Sequence, residues 1–184
     1  MKGLFVAAGV TALLVPLSAA YSAVYTVGGP LSKNCYNSAL ATDARPASIE
    51  GCTLALEQEP LQTPDRAATY VNRGILRMVA GRFGDADGDF DAALALNANL
   101  SDALLNKGFI RLRQGNGREA LPLLQRGMDH GARRQALAYF ARGVAYEQMG
   151  DFRSAYYDLK RARDLEPRWT MPGEYLARYR VERR

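Results

Sequence analysis

Apolar and polar positions along this chain follow helical spacing, and the apolar pattern itself recurs. Gly74, Gly108 and Gly143 lie 34 and then 35 residues apart. Ala86, Ala120 and Ala155 keep that spacing, as do Phe90, Leu124 and Leu159. A period of about 34 residues, with Gly in the first half and Ala-x-x-x-Phe/Leu in the second, predicts stacked helix–turn–helix pairs. Each pair carries an apolar face that only its neighbour can cover, so the pairs stack into a solenoid. Three units follow, at 67–100, 101–135 and 136–169. The first helix of each ends at Gly81, Gly115 or Gly150, residues suited to the turn that stops a helix. The second helices begin near Phe83, Arg118 and Phe152, and Pro122 falls within the first turn or so of its helix, where a missing N–H costs little. The one extra residue between the second and third units falls in the turn His130–Arg134.

The flanks extend the pattern. Residues 31–66 read as a degenerate fourth unit, with helical patterns over Leu31–Ala41 and Ala47–Glu57. Aligned on the later units, Cys52 takes the place of the large apolar residue Leu159, and Cys35 lies on the preceding helix. Both face the seam between two antiparallel helices. Residues 170–184 read as a C-terminal capping helix, with Tyr175, Leu176 and Tyr179 as its apolar stripe.

The first twenty residues are of another kind. One positive charge at Lys2 precedes the apolar run Leu4–Val15, and Ser18-Ala19-Ala20 gives a small-x-small pattern. This resembles a secretory signal peptide cleaved after Ala20, which predicts a periplasmic or secreted protein. An uncleaved membrane anchor is the alternative, since apolar residues continue through Val27, although Pro16 interrupts the ~20 residues a span requires. Residues 21–30 then form an extended linker ending in Gly28-Gly29-Pro30. In an exported chain, two cysteines read as a Cys35–Cys52 disulfide.

Three in-register units resemble the tetratricopeptide (TPR) repeat proteins, with the pattern W-x₂-L-G-x₂-Y…A-x₃-F…P. The third unit matches best, through Tyr139, Gly143, Tyr146, Ala155, Leu159 and Pro167. The first offers Tyr70, Gly74, Ala86 and Phe90, and the second Leu104, Gly108, Ala120 and Leu124. The resemblance implies an all-α, right-handed superhelical solenoid of antiparallel helix pairs with a capping helix. It also implies a concave groove, lined by the first helices, that holds an extended or helical segment of a protein partner. By register that groove presents Val71, Asn72 and Ile75, then Leu105, Asn106 and Phe109, then Phe140, Ala141 and Val144. Stacked asparagine amides, each with one acceptor and two donors, can pair with a peptide backbone without reading its sequence. The chain departs from the pattern where Arg73, Lys107 and Arg142 replace the Leu before each Gly. A basic residue there can lay its stem on the neighbouring helix and carry its charge outward.

Charge and candidate chemistry add little. Twenty-four basic and 19 acidic residues give a net +5, scattered rather than gathered into a nucleic-acid-binding stripe. The acids of Gly84–Asp91 alternate as in a calcium loop, but a helix through them would point neighbours apart. His130 is the single histidine, and no nucleophile–base–orienter set forms around it. The expectation is therefore a non-enzyme with no metal, no cofactor and no small-molecule substrate. Two functions remain: a scaffold that binds a partner segment, or a structural subunit that self-associates or fills its own groove with residues 21–30.

Overall fold

The computed structural model describes residues 4–7 and 21–182. Nine helices run in sequence among them: α1 (Pro30–Leu40), α2 (Pro46–Gln58), α3 (Thr63–Val79), α4 (Phe83–Leu96), α5 (Ser101–Arg113), α6 (Gly117–Asp129), α7 (Gln135–Gln148), α8 (Phe152–Leu165) and α9 (Met171–Leu176). Consecutive helices pack as hairpins, with α3 on α4, α5 on α6 and α7 on α8, and α4 and α6 carry the contacts from each pair to the next.

The hairpin turns follow from the glycines. Gly81, Gly115 and Gly150 have φ of +77°, +74° and +80°. That left-handed conformation lets the next N–H reach back into the last helical turn. Arg82 donates to the Arg77 carbonyl at 2.8 Å, and Asn116 and Asp151 donate to Arg111 and Tyr146 at 2.9 Å. Gly74, Gly108 and Gly143 serve another purpose, close helix approach. A β-carbon on Gly74 would lie 2.6 Å from a Phe90 ring carbon, and one on Gly108 would lie 2.7 Å from Leu124 Cδ2. The repeating Gly and Phe/Leu positions are thus two halves of one contact.

The basic residues before those glycines turn their charge inward. Arg73 and Arg77 both bind Asp89 at 2.8 Å, and Arg142 binds Asp158 at 2.7 Å. Lys107 reaches back to Asp87 and Asp91 on α4 at 2.8 and 2.9 Å, and Arg111 joins Asp87 at 2.9 Å. Asp85 pairs with Arg82 at 2.7 Å. The outward-pointing charge expected at Arg73, Lys107 and Arg142 is therefore corrected, because each has a carboxylate within reach on a second helix. The alternating acids of α4 are consumed in the same pairs. Pro122 is the sixth residue of α6, deeper than the first turn, and leaves the Arg118 carbonyl without its helical donor.

The two ends differ from the sequence reading in one respect. Cys35 and Cys52 form a disulfide between α1 and α2, with Cα atoms 4.8 Å apart. At the other end the capping helix does not continue through residue 184. Helix α9 stops at Leu176, and Tyr179–Glu182 forms a strand, β2, paired antiparallel with β1 (Leu4–Ala7), Leu4 opposite Glu182. The reason is a contact remote in sequence. Glu147 on α7 accepts the Tyr179 hydroxyl at 2.7 Å and Arg178 Nη2 at 3.0 Å, which ties residues 178 and 179 to α7 beyond the end of α9. Burial, and then this bond to Glu147, push the Tyr179 hydroxyl far above its ordinary value. Of the run read as a leader, only Leu4–Ala7 belongs to the described residues. The remainder, including the cleavage site after Ala20, lies outside them. No helix among the described residues is long and apolar enough to cross a membrane.

Candidate functional site: a groove occupied by the chain itself

The first helix of each pair lines one side of the solenoid, and residues 21–27 lie along it as an extended segment. Asn72, fully buried in the middle of α3, holds that segment by its backbone. The Val24 N–H donates to Asn72 Oδ1 at 2.9 Å, and Asn72 Nδ2 donates to the Val24 carbonyl at 2.8 Å. One amide thus satisfies both backbone groups of one residue, as a neighbouring β-strand would.

Three further residues fix the segment. Asp65, in the first turn of α3, accepts the Val27 N–H at 2.7 Å. Asp102, in the first turn of α5, accepts the Ser22 hydroxyl. Arg134, just ahead of α7, donates to the Tyr21 carbonyl at 3.0 Å. The segment therefore runs from α7 past α5 to α3, antiparallel to the order of the repeats. Burial pushes the Tyr21 hydroxyl well above its usual value.

Val71, Asn72, Ile75, Leu105, Asn106, Phe109, Phe140 and Val144 are all buried. Asn72 bonds to the segment, and Val24 and Tyr21 join one apolar cluster with Val71, Ile75, Leu105, Phe109, Phe140 and Val144. Leu105 also packs against α6, where a β-carbon on Gly127 would lie 3.0 Å from it. Phe140 packs under the C-terminal cap, with ring centroids 5.0 Å from Trp169 and 4.9 Å from Tyr175. Asn106, one repeat beyond Asn72, is fully buried with neither amide atom paired among the described residues. Asp65, Asp102 and Arg134 escaped the sequence reading. An acid in the first turn of a helix is ordinarily explained by the helix dipole, so neither aspartate stands out.

Asp102 carries an electrostatic cost. Burial raises its carboxyl above the ordinary value of 3.8, against smaller lowering contributions from the Ser22 hydroxyl and Arg133. A raised acid is disfavoured in its ionised form by folding, so the penalty is absent below about pH 3.8 and complete once the folded group ionises. Asp102→Asn is expected to raise the melting temperature at pH 7, with the gain fading toward pH 3. A gain that instead grew on acidification would contradict this assignment.

The outward side of the segment is exposed at Tyr25 and Val27. Beside it opens a cavity of about 450 Å³ whose lining includes Val24, Tyr25, Val27, Thr63, Leu96 and Arg133. Tyr25, Val27 and Leu96 remain exposed there. The occupant is thus anchored by its backbone and inward residues, while Val27 is exposed and Tyr25 rests edge-on against Tyr36 of α1 at 5.4 Å.

No protein-family model matches the chain. A 92-residue stretch is 35% identical to the SGT1 homolog of Bos taurus and 33% identical to that of Homo sapiens. The match takes in 50% of this chain but only 26% and 24% of those proteins, so the chain spans about a quarter of their length. Among solved structures, MamA 41-end from Desulfovibrio magneticus RS-1 superposes with a TM-score of 0.63 at 22% identity. The MamA RS-1 ArsTM double mutant does so with 0.62 at 23%. Both cover 80% of this chain and 82% of the neighbour. With the repeat glycines, hairpin turns and groove of the preceding paragraphs, that likeness makes the fold of this chain an all-α solenoid of the TPR type.

Proposed function

We propose that this protein is a non-catalytic interaction scaffold whose groove holds extended protein segments by their backbone, and that residues 21–27 keep the groove closed until a partner displaces them. The observation that carries this reading is the two-bond pairing of Asn72 with Val24. Such a pairing recognises an extended chain as such, because every residue but proline offers the same N–H and C=O. The fully buried Asn106 offers a second amide of the same kind farther along the groove.

The compartment belongs to the same proposal. The apolar run, the Ser18-Ala19-Ala20 pattern and the disulfide suit an exported protein of the periplasm or cell envelope. Cleavage after Ala20 would remove β1 and leave the whole groove segment in place, now starting at Tyr21. Mass spectrometry of the protein from its native envelope should then find Tyr21 at the N-terminus.

The binding test uses the full chain with Val24→Pro, which deletes the N–H that Asn72 accepts. A labelled heptapeptide of residues 21–27 should bind this variant in fluorescence anisotropy and bind the parent chain far more weakly. Adding Asn72→Ala should weaken binding about tenfold or more, in keeping with two lost hydrogen bonds, while the Val24→Pro melting temperature is kept. Undiminished binding without the Asn72 amide would sink the backbone-reading mechanism. The same exchange between two copies is the second reading supported by this contact. It would show in light scattering as concentration-dependent dimers lost on removal of residues 21–30.

A further inference from the structure

From Ser22 to Val27 every second side chain is buried in the groove, with Ala23 between them partly buried. Ser22, Val24 and Thr26 are 3%, 7% and 0% exposed, while Tyr25 and Val27 are 58% and 73% exposed. That period of two is extended backbone with one face buried, and Tyr21, buried beside Ser22, lies outside it. Asn72 fixes its register at Val24, so the same side chains always meet the same pockets.

Each inward pocket has its own chemistry. At the first, the buried Asp102 carboxylate accepts the Ser22 hydroxyl. An ionised carboxylate only accepts, so it favours a residue with a donor there, and a methyl group would strand it without that bond. At the second, the Val24 side chain joins the apolar cluster. The third pocket encloses Thr26 completely, yet its hydroxyl has no partner among the described residues. A buried unpaired hydroxyl costs free energy that a methyl in its place would not. The chain's own segment therefore fits the first two pockets and is mismatched at the third.

We infer that the groove selects extended protein segments of the pattern Ser/Thr-x-Val-x-Val. Asp102 is the specificity-determining residue for the hydroxyl, and a valine or isoleucine in the third pocket is what lets a partner outcompete Thr26. This rests on the groove-binding reading and adds sequence selectivity to it. It also explains how a segment tethered in the same chain can be displaced at all, since the tethered copy is not the best ligand.

The test compares three heptapeptides on the full-length Val24→Pro chain: Tyr-Ser-Ala-Val-Tyr-Thr-Val, the same peptide with Ala for Ser, and the same with Val for Thr. The alanine peptide should bind about tenfold more weakly, as for a lost hydrogen bond to a charged acceptor, and the valine peptide several-fold more tightly. Adding Asp102→Ala to the chain should abolish the preference for serine over alanine. In the otherwise unaltered chain, Ser22→Ala should lower the melting temperature and Thr26→Val should raise it, a measurement that does not depend on how Val24→Pro folds. Equal affinity for all three peptides, with no shift in the two melts, overturns the selectivity while leaving backbone binding intact. Binding of none of them to a folded Val24→Pro chain overturns the groove reading as well.

Discussion

Phe140→Ala is expected to destabilise the protein by about 3–5 kcal/mol, the range for deleting a buried aromatic ring. Phe140 is fully buried, and its ring is the surface on which the C-terminal cap rests, against both Trp169 and Tyr175. Removing it leaves a cavity beneath α9 that two large rings cannot both collapse into, which places the loss at the upper end of the scale. Trp169 is the only tryptophan in the chain, so its fluorescence reports the site directly. A red-shifted emission together with a lowered melting temperature is the expected result. An unchanged melt with weakened peptide binding would instead make Phe140 a residue of the groove.

Loss of the Cys35–Cys52 disulfide is the second large effect, about 3 kcal/mol for a loop of this size in the chain-entropy picture. The bridge joins α1 to α2, the terminal pair, which is covered by a neighbour on one side only. Where the later repeats place Phe90, Leu124 or Leu159 to pack one helix on the other, this pair has the small side chain of Cys52. Without the bond the buried apolar residues left to the pair are Ala39, Ile49, Ala55 and Leu56. The Cys35→Ala, Cys52→Ala double variant is therefore expected to melt at a lower temperature and to be clipped first between α1 and α2 in limited proteolysis. The groove segment should loosen too, because Glu59 at the end of α2 holds the Leu31 and Ser32 N–H groups at 2.7 and 3.0 Å. Identical melting of the variant and the oxidised parent would refute the bridge as a staple.

Much of the fold is legible in the sequence because a solenoid is built from local rules. The glycines that stop helices, the small residues that allow helix approach and the large residues that fill the gap all recur at one period. What is hidden is whatever depends on residues far apart in the chain. Register places Leu105 and Phe140 on first helices, but only the positions of Gly127, Trp169 and Tyr175 show that they face packing contacts. Tyr175 and Tyr179 stand four residues apart as on one helix face, and neither the Glu147 hydrogen bond of Tyr179 nor its pairing with β1 leaves a trace in that spacing. The charge ladder was hidden for the same reason. A basic residue before a glycine gives no sign that Asp89 or Asp158 waits on the next helix. Asp65 and Asp102 look like helix starts and double as anchors for the segment.

The segment in the groove also bears on the order of folding. Most contacts of a helical repeat array join residues within one or two units, and such local contacts form fast. The bond from Arg134 to the Tyr21 carbonyl spans 113 residues, and that from Ser22 to Asp102 spans 80. Closing loops of that length carries an entropic cost that is recovered only once α3, α5 and α7 are already stacked. The groove is therefore expected to be complete before its own occupant arrives, which gives each newly folded molecule an interval in which the site stands open.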